Sequence, residues 1–125
     1  MFEGKAEEAI TMYTSLFEDS SIVSVNKHEE DGPLGKKGKI QKATFKIKGI
    51  EIMAIDSSVK HEFTFTPSNS FFITCNDEQE IDKCFLELSK DGKVLMDLGN
   101  YGFSEKFGWV NDKFGVSWQL NLDKK

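Results

Sequence analysis

Asp112-Lys113-Phe114-Gly115-Val116-Ser117-Trp118-Gln119-Leu120 is the stretch whose reading decides the fold. It reads as a tight turn followed by a closing strand. Successive side chains of a strand point to opposite faces, so Phe114, Val116, Trp118 and Leu120 share one face and Ser117, Gln119 and Asn121 the other. The apolar face suits packing against a helix, with Trp118 in the core. The polar face is left for something else. The same layout occurs earlier, where Gly49-Ile50-Glu51-Ile52-Met53 starts a strand and puts Met53 four residues after Gly49, as Gln119 follows Gly115. The chain therefore carries an internal duplication, weak in residue identity and clear in pattern.

Working outward, Ala6, Ala9, Ile10, Tyr13, Leu16 and Phe17 recur at helical spacing and predict a helix over about 5–18, with Glu7 and Glu8 in its first turn. A strand follows at about 22–28. The polar, Gly-containing loop 29–38 leads to a hairpin in which Ala43, Phe45 and Ile47 alternate with lysines and the chain returns through 50–55. The connection 56–69 holds Pro67, with part of a strand expected at Phe63-Thr64-Phe65. An apolar strand at 70–75 opens the second unit. Asp77 and Glu80 stand at capping-box spacing, Ile81, Cys84, Phe85 and Leu88 form the buried stripe of a second helix, and Asp91-Gly92 ends it. Strands are expected at about 93–96, 103–110 and 116–122. The outcome is an α+β fold of two βαβββ units, at about 1–60 and 68–125 of a single domain spanning 1–125, with mixed sheets. The first strand of the first unit is missing except for a stub at Phe2, and the chain reads as trimmed before Met1.

With 125 residues, 38% of them hydrophobic and 11 of them Phe, the chain can bury a real core. A net charge of −5 argues against nucleic acid or an anionic membrane as partner. The dense run Lys36, Lys37, Lys39, Lys42, Lys46 and Lys48 reads as a solvated strand face that also discourages edge pairing. Cys75 and Cys84 have neither redox nor metal-finger spacing, which points to a reduced, cytoplasmic protein. No apolar run approaches the roughly 20 residues that span a bilayer, and the start is acidic and amphipathic rather than a signal peptide.

Two segments, Phe2 through Ile10 with Tyr13 and Ser15-Leu16-Phe17, and Gly108-Trp109 with Asp112 through Gln119, resemble the PhnB-like group of the vicinal-oxygen-chelate (glyoxalase/bleomycin-resistance) superfamily. The resemblance spans essentially the whole chain and implies curved sheets whose concave faces carry the site. In the superfamily's metalloenzymes the slot of Gln119 is usually a Glu, Met53 is its counterpart in the first unit, and Ser70 stands where a His is common. The fourth ligand slot falls on the missing first strand. Met, Ser and Gln are poor ligands for a divalent ion of this kind, so no metal and no other cofactor is expected. The family label, "3-demethylubiquinone-9 3-methyltransferase", is not supported by a Gly-rich strand–helix turn for S-adenosylmethionine.

The tentative ligand pocket is then Met53, Ser70, Trp109, Ser117 and Gln119. The leading functional reading is a metal-free protein that binds a small aromatic or amphipathic molecule, without a readable catalytic constellation. A superfamily enzyme of lyase, isomerase or dioxygenase type that recruits a divalent metal is the alternative, and a purely structural module is a third reading. A homodimer is expected in each case, because a partner can cover the sheet edge left by the incomplete first strand.

Overall fold

The computed structural model describes residues 1–124. They form two compact units, Met1–Glu62 and Phe63–Lys125.

In the first unit, α1 (Ala6–Leu16) is followed by β1 (Ser21–Lys27), β2 (Ile40–Ile47) and β3 (Ile50–Ala54). The strands form an antiparallel sheet of order β1-β2-β3. Ala6, Ala9, Ile10 and Tyr13 are buried on the helix, and Ala43, Phe45 and Ile47 are buried on β2, on which α1 packs. The strand expected to open this unit is reduced to one parallel bridge between Phe2 and Asp56. Phe2 donates its N–H to the Ile55 carbonyl at 2.9 Å and accepts from the Ser57 N–H at 2.7 Å. Phe2 is thus the stub that the sequence pattern indicated.

The buried Asp56 carboxylate ties the residues before α1 to the start of β2. Its Oδ1 accepts from the N–H groups of Gly4 at 3.0 Å and Ala6 at 2.9 Å, and its Oδ2 from Ile40 N–H at 3.1 Å. Lys5 sits at the N-cap of α1 with no side-chain cap, so a residue 50 positions away supplies the acceptor that the helix start needs.

The second unit runs β4 (Phe71–Thr74), α2 (Glu78–Ser89), β5 (Lys93–Gly99), β6 (Lys106–Asn111) and β7 (Ser117–Leu122). The sheet order is β4-β7-β6-β5, with β4 parallel to β7 and the other pairs antiparallel. Asp77 caps α2 by accepting from Glu80 N–H at 2.8 Å, while the Glu80 carboxylate reaches Asn76 N–H at 3.3 Å instead of the cap's own N–H. Ile81, Cys84 and Leu88 of α2 are buried, and α2 packs on β5, β6 and β7. Gly108 shows how closely: a Cβ there would lie 2.7 Å from the Phe85 ring and 2.8 Å from a Leu98 methyl. Lys106, two residues before it, reaches Asp82 of α2 at 2.6 Å. Lys106, Gly108 and Val110 therefore face the helix, and so does Trp118, which pairs with Val110.

Trp118 is fully buried, as its parity predicted. Its indole Nε1 donates to Asp112 Oδ2 at 2.9 Å, and Asp112 Oδ1 accepts from the N–H groups of Phe114 and Val116. One aspartate thus ties the β6–β7 turn to the core tryptophan.

Two strand expectations need correction. Phe63-Thr64-Phe65 forms no strand; Phe65 instead lies beside Gly115 of the closing turn. The strand expected from residue 103 starts at Lys106. Gly102 has a positive φ of 99°, and Ser104 turns its buried hydroxyl to Asn121 Oδ1, so 101–105 is a rim loop and not a strand.

Candidate functional site

The face of the second unit's sheet turned away from α2 is built from alternate residues of three strands. Register places Phe72 and Thr74 of β4 beside Gln119 and Asn121 of β7, and Phe107, Trp109 and Asn111 of β6 beside Asn121, Gln119 and Ser117. Gln119 is therefore flanked by an aromatic residue on each neighbouring strand.

Hydrogen bonds fix the polar members of this face. Gln119 Nε2 donates to Ser70 Oγ at 2.6 Å. Trp109 Nε1 donates to the buried Ser117 Oγ at 2.7 Å, which sets the orientation of the indole. Asn121 Nδ2 donates to Thr74 Oγ1 at 3.3 Å and to Asp123 Oδ1 at 2.8 Å, and its Oδ1 accepts from Ser104, so its side chain is committed to structure. At one end the face carries exposed rings. Phe72 is 56% exposed, Tyr101 45% and Phe103 61%. They surround the buried Phe107, whose ring lies 4.9 Å from Phe103 and 6.2 Å from both Phe72 and Tyr101. At the margins of this side, Lys93 starts β5 and Asp123 lies beyond the end of β7; both are ionisable.

Of the five residues chosen from sequence, four meet on this face as two hydrogen-bonded pairs, Ser70–Gln119 and Trp109–Ser117. Met53 belongs to the first unit, where it pairs with Thr44 and is 59% exposed. Of the aromatic rim, Phe72 and Phe103 were missed, whereas Tyr101 was readable from the sequence as well placed, with Trp109, to line a pocket. A cavity of about 180 Å³ lies elsewhere, in the first unit, between Glu3, Lys36, Lys39, Asp56 and Ser57, and none of the five residues lines it. The lysines that alternate on β2 are solvated, with Lys42 and Lys46 exposed. His28 sits against Gly35 and His61 pairs with Ser57 Oγ at 2.8 Å. Among the described residues no three His, Cys, Asp or Glu side chains gather into a metal-binding group, and no helix is long and apolar enough to cross a membrane.

Two repeats of a helix laid on a small sheet, with the opposite sheet face left free, define the glyoxalase/bleomycin-resistance (vicinal-oxygen-chelate) fold. A glyoxalase/bleomycin resistance protein/dioxygenase from Alicyclobacillus acidocaldarius superposes with a TM-score of 0.57 over 100% of this chain and 88% of that one, at 13% identity, a likeness of fold alone. Within the fold, residues 1–121 match the family described as 3-demethylubiquinone-9 3-methyltransferase, and the chain belongs to that family. A PhnB protein from Bacillus cereus is 59% identical and superposes with a TM-score of 0.93 over 98% of this chain and 94% of that one. Protein YjdN of Escherichia coli (strain K12) is 30% identical over 89 residues, which take in 69% of this chain and 58% of YjdN. The chain thus spans less than two thirds of that relative's length.

Proposed function

We propose that this is a metal-free binding protein that holds a small aromatic or amphipathic molecule on the amide-and-aromatic face of its second unit. One observation carries the reading. Gln119, in the slot where the superfamily's metalloenzymes usually place a Glu, is held by Ser70 at 2.6 Å between Phe72 and Trp109. An amide that donates to a hydroxyl offers no anionic charge, and the thioether of Met53 and the hydroxyl of Ser70 are no better as donors to a hard or borderline divalent ion. The residues in these slots do not fit a resident catalytic metal. They do fit an uncharged ligand, because rings supply contact area and an amide supplies orientation.

Methyl transfer, the activity in the family's description, is not part of this reading. The strand-to-helix connection of the second unit, Cys75-Asn76-Asp77, holds no glycine, and that of the first unit holds only Gly4. A phosphate- or nucleoside-cradling turn needs more. A homodimer belongs to the proposal, because β1 is exposed along its whole length as an edge strand and shows Ile22, Val23 and Val25 to solvent. The cytoplasm belongs to it as well, because Cys75 and Cys84 stand in neither redox nor metal-finger spacing.

Ligand-detected NMR with a set of neutral aromatic fragments tests the reading. Several fragments should bind without added metal and lose binding in Trp109→Ala and Gln119→Ala. Binding that requires added Mn²⁺ or Zn²⁺, or that survives both substitutions, would overturn it in favour of a metal-recruiting enzyme or another surface.

A further inference from the structure

We infer that the ligand is a neutral, planar, fused-ring heterocycle that presents a hydrogen-bond donor next to an acceptor, as a lactam or cyclic amide does. This rests on the reading of the second unit's free face as the binding surface and goes on to name the chemistry it selects.

Three observations narrow the class. The first is the state of the Gln119 amide. One N–H of the planar amide donates to Ser70 Oγ, which leaves Oε1 as an acceptor and the second N–H as a donor. A primary amide pairs in two-point fashion with an adjacent donor and acceptor, as glutamine and asparagine do with the edge of adenine. Asn121 cannot take this role, because both its oxygen and its nitrogen are already engaged within the fold.

The second is the row of side chains across the strands. Phe72 on β4, Gln119 on β7 and Trp109 on β6 stand side by side in register. Two inter-strand spacings come to roughly 10 Å, the span of a fused bicyclic ring laid across β7. The indole of Trp109 is fixed by Ser117 Oγ at 2.7 Å and Phe72 is 56% exposed, so one aromatic wall is rigid and the other is open to a ligand. The third is charge. Phe72, Phe107, Trp109, Ser117 and Gln119, the centre of the face, carry no ionisable group. Lys93 stands at one margin, and at the other Asp123 accepts from Asn121. A carboxylate or ammonium placed at the centre would lose its hydration without gaining a partner.

The test uses three probes of one shape: isoquinolone, which has a lactam donor and acceptor; N-methylisoquinolone, which keeps the carbonyl and lacks the donor; and naphthoate, which is charged. Each is titrated into ¹⁵N-labelled protein while the side-chain amide of Gln119 and the indole N–H of Trp109 are followed. Isoquinolone should shift both resonances saturably and bind about tenfold more tightly than its N-methyl form, the order expected for one polar group left unpaired. Naphthoate should bind most weakly. In Gln119→Leu the two neutral probes should become equal, and in Phe72→Ala both should weaken together with the preference retained. Equal binding of the two neutral probes to the unaltered protein, with shifts on this face, would overturn the lactam inference and leave the binding-face reading standing. Shifts confined to other residues would overturn both. Thermal melting of each variant confirms that it is folded, and Gln119→Met serves in place of Gln119→Leu should the latter melt early.

Discussion

Where the second unit carries Gln119 between Phe72 and Trp109, the first carries Met53 beside Thr44, and the position of Phe107 is filled by Lys42. The two units follow one plan. Gly49 and Gly115 start equivalent strands, Thr44 pairs with Met53 as Trp109 pairs with Gln119, and Phe2 hydrogen-bonds to Ile55 as Cys75 does to Asn121. They differ on the face turned away from the helix. In one unit it is aromatic and amide-bearing, with its polar atoms hydrogen-bonded to each other; in the other it bears exposed Lys42 and Lys46 with an exposed Met53. A duplicated scaffold needs the helix-facing side of both sheets to remain apolar, while the opposite faces are left to diverge.

That comparison can be broken most forcefully at the core of the second unit. Trp118→Ala removes a fully buried indole and its bond to Asp112, and should cost about 3–5 kcal/mol. Chemical denaturation measures this, and a loss under about 1 kcal/mol would mean that the closing strand is not the anchor. In the first unit the matching test is Asp56→Ala. It leaves the Gly4, Ala6 and Ile40 N–H groups without their acceptor and should cost roughly 2–3 kcal/mol. Amide hydrogen exchange should accelerate at those three positions first; unchanged protection would show that Phe2 alone secures the stub.

Gly108 and Ala43 are equivalent in the duplication, and their exchange sharpens the comparison further. Gly108→Ala should cost roughly 1–3 kcal/mol by pushing Phe85 and Leu98 aside. Ala43 already fits a Cβ in the first unit, where it is buried. A neutral Gly108→Ala would mean that α2 can slide on its sheet. Met53→Gln then asks whether the amide alone makes a site. Exposed as it is, it should change stability by less than about 0.5 kcal/mol, and aromatic probes should produce no new shift at residue 53, because its cross-strand neighbour is Thr44 where Gln119 has Trp109. A smaller effect concerns Lys106, whose pKa is raised by its hydrogen bond to Asp82, against some desolvation. A raised lysine contributes stability below its ordinary pKa and loses it as pH rises through the raised value. Lys106→Met should therefore lower the melting temperature slightly at neutral pH, by less than about 1 kcal/mol of stability, and the difference from the unaltered protein should shrink in strong alkali.

The helices, the parity of the closing strand and the duplication were legible in the sequence because each is a local period in hydrophobicity. Ile81, Cys84 and Leu88, and Trp118 against Ser117 and Gln119, are readable within a few residues. For Asp56, which ends a strand, the sequence favoured cap or turn duty over orienting a ligand, but not the partners, because the groups it caps lie 50 and 52 residues away. Phe63-Thr64-Phe65 and Phe103 alternate as strands do, yet Phe65 is placed beside the closing turn and Phe103 is lifted into the rim by Gly102 and Ser104. Alternation signals a two-sided environment, and only pairing makes a strand. The resemblance supplied the slots Met53, Ser70 and Gln119. The Ser70–Gln119 bond, across 49 residues, depends on the parallel pairing of β4 with β7, which no local pattern reveals.

Native mass spectrometry of gently purified protein tests the central claim most directly. A dimer without bound metal, with or without an additional organic mass, is the predicted spectrum. One divalent ion per subunit, retained through buffer exchange, would contradict the account and return Met53, Ser70 and Gln119 to the status of ligands.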